Sequence, residues 1–171
     1  LTPLIINNIV DITERYDRQG VMIFSASVRH AEEILSYLPD GQARLIVGDT
    51  DLSARDRTIA DFKDRKFKYL VNVSVLTTGF DEPTVETIIL NRATKSLTLY
   101  HQMIGRGSRK LPNKDEFTII DLGNNARRFG LWESAIDWND IFAHPNNYIE
   151  NIISDEQMSR EMKYEMSPET R

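Results

Sequence analysis

Short apolar runs alternate with amphipathic stretches along most of the chain. Five runs are continuous and apolar, which is typical of strands buried on both faces: 21–26, 43–48, 67–76, 85–91 and 116–122. The stretches between them place apolar residues at helical spacing. Strands that alternate with helices predict an α/β fold, in which a parallel sheet is covered by helices on both faces.

Local signals place the ends of the predicted helices. A helix over 2–17 begins at Thr2-Pro3, and Gly20 follows its end. Three later helices are each introduced by a capping signal, namely Ser27, the capping box Ser53-x-x-Asp56, and Ser96. On parallel sheets, ligands bind beyond the carboxyl ends of the strands, so the loops that follow the strands are expected to carry the chemistry.

The pattern changes after Leu131. The stretch "LWESAIDWNDIF" is aromatic and is expected to dock on the sheet domain, whereas 144–171 is polar, with six acids against three bases. The predicted organisation is therefore a leading helix at 1–20, a sheet domain at 21–130, and a docking segment with a mainly helical, acidic extension at 131–171.

Composition excludes several classes of protein. The 171 residues suit one domain with an appendage, and no apolar run approaches the ~18 residues that a membrane span needs. Cysteine is absent, which excludes disulfides and thiolate metal sites, and the three scattered histidines predict no metal site. We therefore expect a cytoplasmic protein. With a net charge of −5, nucleic-acid binding would depend on local basic patches.

One such patch is the stretch "HQMIGRGSRK". No acid occurs between Thr87 and Lys114, although this segment holds six cations. At helical spacing Gln102, Arg106 and Arg109 would share one face, opposite Leu97, Tyr100 and Ile104. Two forked guanidiniums on one face suit a polyanion such as a triphosphate. The spacing alone equally allows a solvated basic face.

Two glycines interrupt this predicted helix. Gly105 and Gly107 each cost roughly 1 kcal/mol in a helix interior. They are easier to explain if the helix ends there or if another group must approach the backbone closely.

Two strand-end loops offer further candidates. In "VLTTGFDEP", Thr77, Thr78 and Gly79 allow backbone amides to come close to phosphates. Asp81 would accept from a ribose hydroxyl or serve only as a turn residue. After the first strand, Ser27 and Arg29 lie at a helix amino terminus, which favours anions, although Ser27 would also act simply as a cap.

Four motifs in order resemble the second RecA-like domain of superfamily 2 helicases and translocases. "VMIFSASVRHAEEI" resembles motif IV, and "VGDTDLSARDRTIADFK" resembles the element that follows it. "YLVNVSVLTTGFDEP" resembles motif V, and "YHQMIGRGSR" matches the motif VI pattern Gln-x-x-Gly-Arg-x-x-Arg. The resemblance covers about residues 18–130. The sequences of motifs V and VI, together with "IIDLGNNARRFG", are most similar to the branch of RadD-like DNA-repair helicases and motor subunits of type III restriction enzymes.

The resemblance implies roles for the candidate residues. Arg109 would be the arginine finger, Arg106 its companion on the γ-phosphate, and Gln102 would position the catalytic water or a phosphate oxygen. The ribose side of the nucleotide would meet Gly79 and Asp81. The nucleic-acid backbone, with DNA expected, would meet Ser27, Arg29, Thr77 and Thr78. Many relatives have Thr-Asp where this chain has Val73-Ser74.

The sequence contains no Gly-x-x-x-x-Gly-Lys-Ser/Thr, and Asp81-Glu82 does not end a buried strand as a Walker B motif would. ATP and Mg²⁺ would accordingly be held mainly by a first RecA-like domain of the same parent chain, and this chain would be the carboxyl-terminal part of a two-domain motor. Whether this chain alone is an enzyme stays open. One alternative is a stand-alone RecA-like module that binds nucleic acid or a partner. Another is a Rossmann-type nucleotide-binding enzyme, but this sequence has no Gly-x-Gly-x-x-Gly after its first strand.

Overall fold

The computed structural model describes residues 2–75, 83–109, 111–112 and 114–151. The strands are β1 (Val21–Ser25), β2 (Ala43–Ile46), β3 (Tyr69–Asn72), β4 (Thr87–Asn91) and β5 (Thr118–Asp121). The helices are α1 (Thr2–Arg15), α2 (Val28–Tyr37), α3 (Leu52–Lys63), α4 (Leu97–Ile104), α5 (Asn125–Phe129), α6 (Trp138–Ala143) and α7 (Pro145–Asn151). Each predicted strand is present, and each is shorter than its apolar run.

The five strands form one parallel sheet in the order β2-β3-β1-β4-β5. Val21 pairs with Tyr69 on one side and Thr87 on the other, so β1 is central. All five residues of β1 are buried, as a strand covered on both faces requires. The predicted α/β fold, a RecA-like parallel sheet between helices, is confirmed.

Helices cover both faces of the sheet. On one face α1 and α2 pack Ile6, Ile9 and Ile34 against strand residues that include Ile23 and Ile89. The Thr13 hydroxyl and the Tyr69 hydroxyl form a buried hydrogen bond of 2.8 Å that ties α1 to β3. Neighbouring strand residues point to opposite faces. Ile88, which contacts the chain just after α4, therefore places α4 on the other face.

The capping box predicted at Ser53 is wrong. The N-cap of α3 is Asp51, whose carboxylate accepts from the backbone N–H groups of Ser53 and Ala54 at 3.0 and 3.2 Å. The Ser53 hydroxyl also donates to this carboxylate, and these hydrogen bonds lower the pKa of Asp51. A carboxylate satisfies more helix donors than a hydroxyl, so α3 begins one residue after Asp51.

The chain divides into two units, Leu1–Asn125 and Ala126–Arg171. In the described part of the second unit, α6 is capped by Asp137, whose carboxylate accepts from the Asp140 N–H at 2.9 Å. Docking of 131–142 on the sheet domain stays a prediction, and 152–171 lies outside the described residues. No helix among the described residues is long and apolar enough to cross a membrane.

Candidate functional site

Helix α4 carries the first part of the basic motif. The Ser96 hydroxyl caps it by accepting from the Leu99 N–H at 3.1 Å, as predicted. Its apolar face is buried through Leu97, Tyr100, Met103 and Ile104. Gln102 is half-buried, and burial lowers the pKa of the neighbouring His101.

The prediction that Gln102, Arg106 and Arg109 share one helix face is wrong. Helix α4 ends at Ile104, with Gly105 as its C-cap, so only Gln102 is helical. Arg106 lies in a turn closed by a hydrogen bond from the Gly107 N–H to the Ile104 carbonyl, at 2.9 Å. Arg109 follows two residues after Gly107, outside any helix. Glycine has the lowest helix propensity of the residues in this segment, and the helix ends directly before the first glycine.

Gly107 packs the turn directly on the sheet domain. A Cβ at this position would lie 2.5 Å from Phe117 Cδ2 and 2.9 Å from Ile88 Cγ1, so a side chain cannot be accommodated without movement. The glycine is explained by close approach of the backbone to Ile88 and Phe117. We call residues 105–109 the motif VI turn.

The motif VI turn does not lie at the carboxyl ends of the strands, which is where the sequence analysis expected ligands to bind. Ile88 is the second residue of β4, and Phe117 immediately precedes β5, so the turn lies near the amino ends of these strands. Its basic side chains differ in accessibility, because Arg109 is exposed and Arg106 is half-buried. Loops after strands are therefore only part of the candidate surface.

Ser27 and Arg29 lie at the opposite end of the sheet, after the carboxyl end of β1. The Ser27 hydroxyl caps α2 by accepting from the His30 N–H at 3.3 Å, and both Ser27 and Arg29 are exposed. The first turn of α2 contains no acid, which leaves its positive dipole end available to an anion. Ser27 as a cap is thus confirmed, and its contact with nucleic acid stays a prediction.

Sequence reasoning gave no role to the residues that surround this end of the sheet. Arg92, just after β4, donates to the Ser74 hydroxyl at 2.8 Å, and Asn91 Nδ2 lies 3.3 Å from His30 Nε2. Ser74 has a φ of 56°, the left-handed region, in which non-glycine residues are uncommon. Arg92 stood out only as one cation of an acid-free segment. Its position directly after a strand was the signal that could have selected it.

The described candidates therefore form two groups at opposite ends of the strands. Ser27 and Arg29 follow the carboxyl end of β1, while Arg106 and Arg109 lie near the amino end of β4, its neighbour. A strand of this length spans roughly 15 Å at about 3.3 Å per residue. Thr77, Thr78, Gly79 and Asp81 lie outside the described residues.

Comparison with known proteins identifies the family. The model for the helicase conserved C-terminal domain matches residues 4–110, from the first helix to the end of the basic motif. The chain belongs to this family. Its arginines at 106 and 109 are thus part of a helicase C-terminal domain of superfamily 2, a class of ATP-dependent motors.

Two relatives show how much of a longer protein this domain represents. The chain is 36% identical over 117 residues to irc3 of Schizosaccharomyces pombe, named as a mitochondrial ATP-dependent helicase, covering 67% of this chain and 19% of irc3. It is 31% identical over 131 residues to the EcoKI type I restriction endonuclease subunit of Escherichia coli K12, covering 67% of this chain and 11% of that protein. This helicase C-terminal domain therefore spans less than a third of either relative.

Solved structures share the fold at lower identity. A fragment assigned as the HsdR subunit of a Vibrio vulnificus type I restriction enzyme matches with a TM-score of 0.68 at 23% identity, covering 77% of this chain and 29% of that one. The Mycobacterium smegmatis helicase Lhr, bound to single-stranded DNA and AMP-PNP, matches with a TM-score of 0.61 at 20% identity, covering 85% and 22%. Domain 2 of the DEAD-box helicase Mss116p, bound to an RNA duplex, matches with a TM-score of 0.61 at 16% identity, covering 95% and 69%.

Proposed function

We propose that this helicase C-terminal domain is the second motor domain of an ATP-dependent DNA helicase or translocase. The observation that carries the proposal is the family match over residues 4–110, which ends on the segment containing Gln102, Arg106 and Arg109. In this role the domain supplies the arginine finger and part of the nucleic-acid track.

Arg109 is proposed as the arginine finger, with Arg106 on the γ-phosphate and Gln102 orienting the attacking water or a phosphate oxygen. The exposure of Arg109 supports this role, since its guanidinium must reach a nucleotide held by another domain. Close packing of Gly107 on Ile88 and Phe117 holds the backbone that carries both arginines. Gly79 and Asp81 are proposed for the ribose side.

ATP and Mg²⁺ are proposed to be held mainly by a first RecA-like domain. Arginines suit phosphate oxygens, but Mg²⁺ requires carboxylates and other oxygen ligands. Among the described residues no group of three or more histidine or acidic side chains could hold a metal ion. The chemistry of the arginines therefore fits one half of a shared site, and the metal ligands are proposed to come from the other half.

The nucleic acid is proposed to contact Ser27, Arg29, Thr77 and Thr78. The exposed, acid-free amino terminus of α2 supports Ser27 and Arg29, whereas Thr77 and Thr78 are proposed from the sequence resemblance alone. DNA is favoured because a restriction endonuclease subunit is among the relatives. The stretch "IIDLGNNARRFG" supports the proposal that the chain is related to the RadD-like and type III restriction branch. Ser27 and Arg29 lie at the opposite end of the strands from the motif VI turn, a strand length of roughly 15 Å, so the two ligands need not overlap.

The proposal predicts that this chain alone releases no phosphate from ATP above background. Phosphate release is measured with and without single- and double-stranded DNA, for this chain and for a longer protein that includes a domain with a Walker A lysine. We expect DNA-stimulated turnover only in the longer protein. Turnover that follows this chain through purification would contradict the shared site. An inactive longer protein that still binds DNA would favour the stand-alone binding module.

The isolated domain is expected to bind nucleic acid weakly and without sequence preference. The proposed track contains a single cation, Arg29, beside the positive dipole end of α2, so the logarithm of the affinity should fall with the logarithm of salt at a shallow slope of about −1 to −2. Fluorescence anisotropy with labelled DNA and RNA across a salt series measures this, with Arg29→Ala expected to flatten the slope by about 1. Tight binding that is insensitive to salt would contradict the proposed track.

A further inference from the structure

The ammonium of Lys114 is bound by three backbone carbonyls. Its Nζ donates to Gly107 O at 2.6 Å, to Arg109 O at 2.8 Å and to Pro83 O at 3.2 Å. An ammonium has three N–H donors and no acceptor, so these three contacts use its full capacity. Hydrogen bonds from a charged donor are roughly twice as strong as neutral ones.

These carbonyls come from two segments that are distant in sequence. Gly107 and Arg109 lie on either side of Ser108 in the motif VI turn, while Pro83 directly follows the stretch 76–82 and precedes β4. Because α4 ends at Ile104, the carbonyls of Gly107 and Arg109 fall outside its hydrogen-bond ladder. Lys114 supplies their partner.

The surroundings of Lys114 restrict the movement of its side chain. The side chain is half-buried, and its Nζ lies 5.9 Å from the centroid of the Phe117 ring, within range of a cation–π contact. Burial lowers the pKa of Lys114, and the carboxylate of Glu86 opposes that shift. Phe117 also packs against Gly107, so one aromatic ring contacts both the motif VI turn and the Lys114 side chain.

We propose that Lys114 is a positioning residue that clamps the backbone on both sides of Ser108 and thereby sets the direction of the Arg109 side chain. This inference rests on the proposed role of Arg109 as the arginine finger. Arg109 is exposed, and its own carbonyl is one of the three that Lys114 binds, so the clamp acts on the backbone from which the arginine side chain extends. The clamp also joins the motif VI turn to the start of the chain that enters β4.

Lys114→Met tests the clamp, because it keeps an unbranched side chain only one atom shorter and removes all three donors. Its matched control is Lys68→Met, since Lys68 is also half-buried with a pKa lowered by burial, and lies over the Tyr69 ring instead. In the longer motor we expect Lys114→Met to lower kcat by about 10- to 100-fold, the effect of misplacing a catalytic group by about 1 Å. KM for ATP should stay within about twofold, and Lys68→Met should match wild type in both.

Lys114→Arg tests whether the positive charge alone is enough, without the three hydrogen bonds of the clamp. Arginine retains the positive charge, but its planar fork cannot place donors toward three carbonyls around one nitrogen. We expect it to fold like wild type and to recover little of the lost kcat. Full recovery by arginine would show that charge alone matters and would overturn the clamp.

Amide hydrogen exchange on this chain provides a readout that does not depend on ATP turnover. The amides of Arg106 and Gly107 bond to the carbonyls of Met103 and Ile104 at 3.3 and 2.9 Å. In Lys114→Met we expect these amides to exchange at least about tenfold faster, with β1 unchanged. Unchanged exchange in the turn would overturn the clamp. Suppose that Arg109→Ala inactivates the longer motor, and that Lys114→Met speeds exchange in the turn but leaves kcat normal. That result would overturn the proposal that Lys114 positions Arg109. If Arg109→Ala is fully active, the proposed function and the positioning role both fail, and exchange alone decides whether Lys114 clamps the turn.

Discussion

Replacing Arg109 with alanine is expected to lower ATP turnover in the longer motor by about 10³- to 10⁵-fold, the usual contribution of an arginine finger. The domain should keep its fold, because Arg109 is exposed and lies outside the helix that packs on the sheet. Substitutions at such positions usually change the free energy of unfolding by no more than about 0.5 kcal/mol. Steady-state phosphate release and thermal melts measure the two effects separately.

Two further substitutions complete this test. Arg109→Lys should recover little turnover, because an ammonium cannot donate in the bidentate geometry of a guanidinium. Arg57→Ala is the matched control, since Arg57 is an exposed arginine on α3 that has no proposed role. A collapsed melt in Arg109→Ala would show that the arginine is structural. Turnover and melt both near wild type would make it an ordinary surface cation.

Gly20→Ala is expected to destabilise the domain by about 3 kcal/mol, the upper part of the usual range for overpacking. A Cβ on Gly20 would lie 2.0 Å from the Thr84 carbonyl oxygen and 2.9 Å from a guanidinium nitrogen of Arg65. The backbone cannot easily retreat, because the Gly20 carbonyl accepts from the N–H groups of Glu86 and Thr87 at 2.7 and 3.0 Å. Thermal melts should show a midpoint lower by about 6–12 °C.

Gly48→Ala is the control for this substitution. A Cβ on Gly48 would meet nothing within 4 Å, and its φ is not in the left-handed region. Alanine there should leave the midpoint unchanged or raise it slightly, since it reduces the conformational entropy of the unfolded chain. Equal melts for the two variants would contradict the close approach at Gly20.

The local pattern was sufficient for the five strands and the first four helices. Apolar runs marked all five strands, because a strand covered on both faces must be apolar along its length. Ser27 and Ser96 marked the starts of α2 and α4, since capping involves only a side chain and backbone donors two or three residues away. Where two capping residues stood close together, at Asp51 and Ser53, the pattern chose the wrong one.

The helical spacing of Gln102, Arg106 and Arg109 was misleading for a physical reason. Spacing predicts a shared face only while the helix continues, and α4 ends at Ile104. Both glycines are costly in a helix, and a helix that ends at the first of them leaves the two arginines outside it. Gly107 instead serves a close approach to Ile88 and Phe117, and Phe117 lies ten positions away in the chain.

By itself the sequence determined the order of helices and strands, the parallel sheet and membership of the helicase family, because these depend on periodicity and on motifs that are local in the chain. Only the tertiary structure decided that Gly20 faces Thr84 and that Lys114 holds the carbonyls of Pro83, Gly107 and Arg109. Gly20 looked like the end of a helix, and Lys114 like one more cation of a basic segment. Their roles depend on backbone atoms from other segments that come within hydrogen-bonding or van der Waals distance only after the sheet has formed, so no local pattern records them.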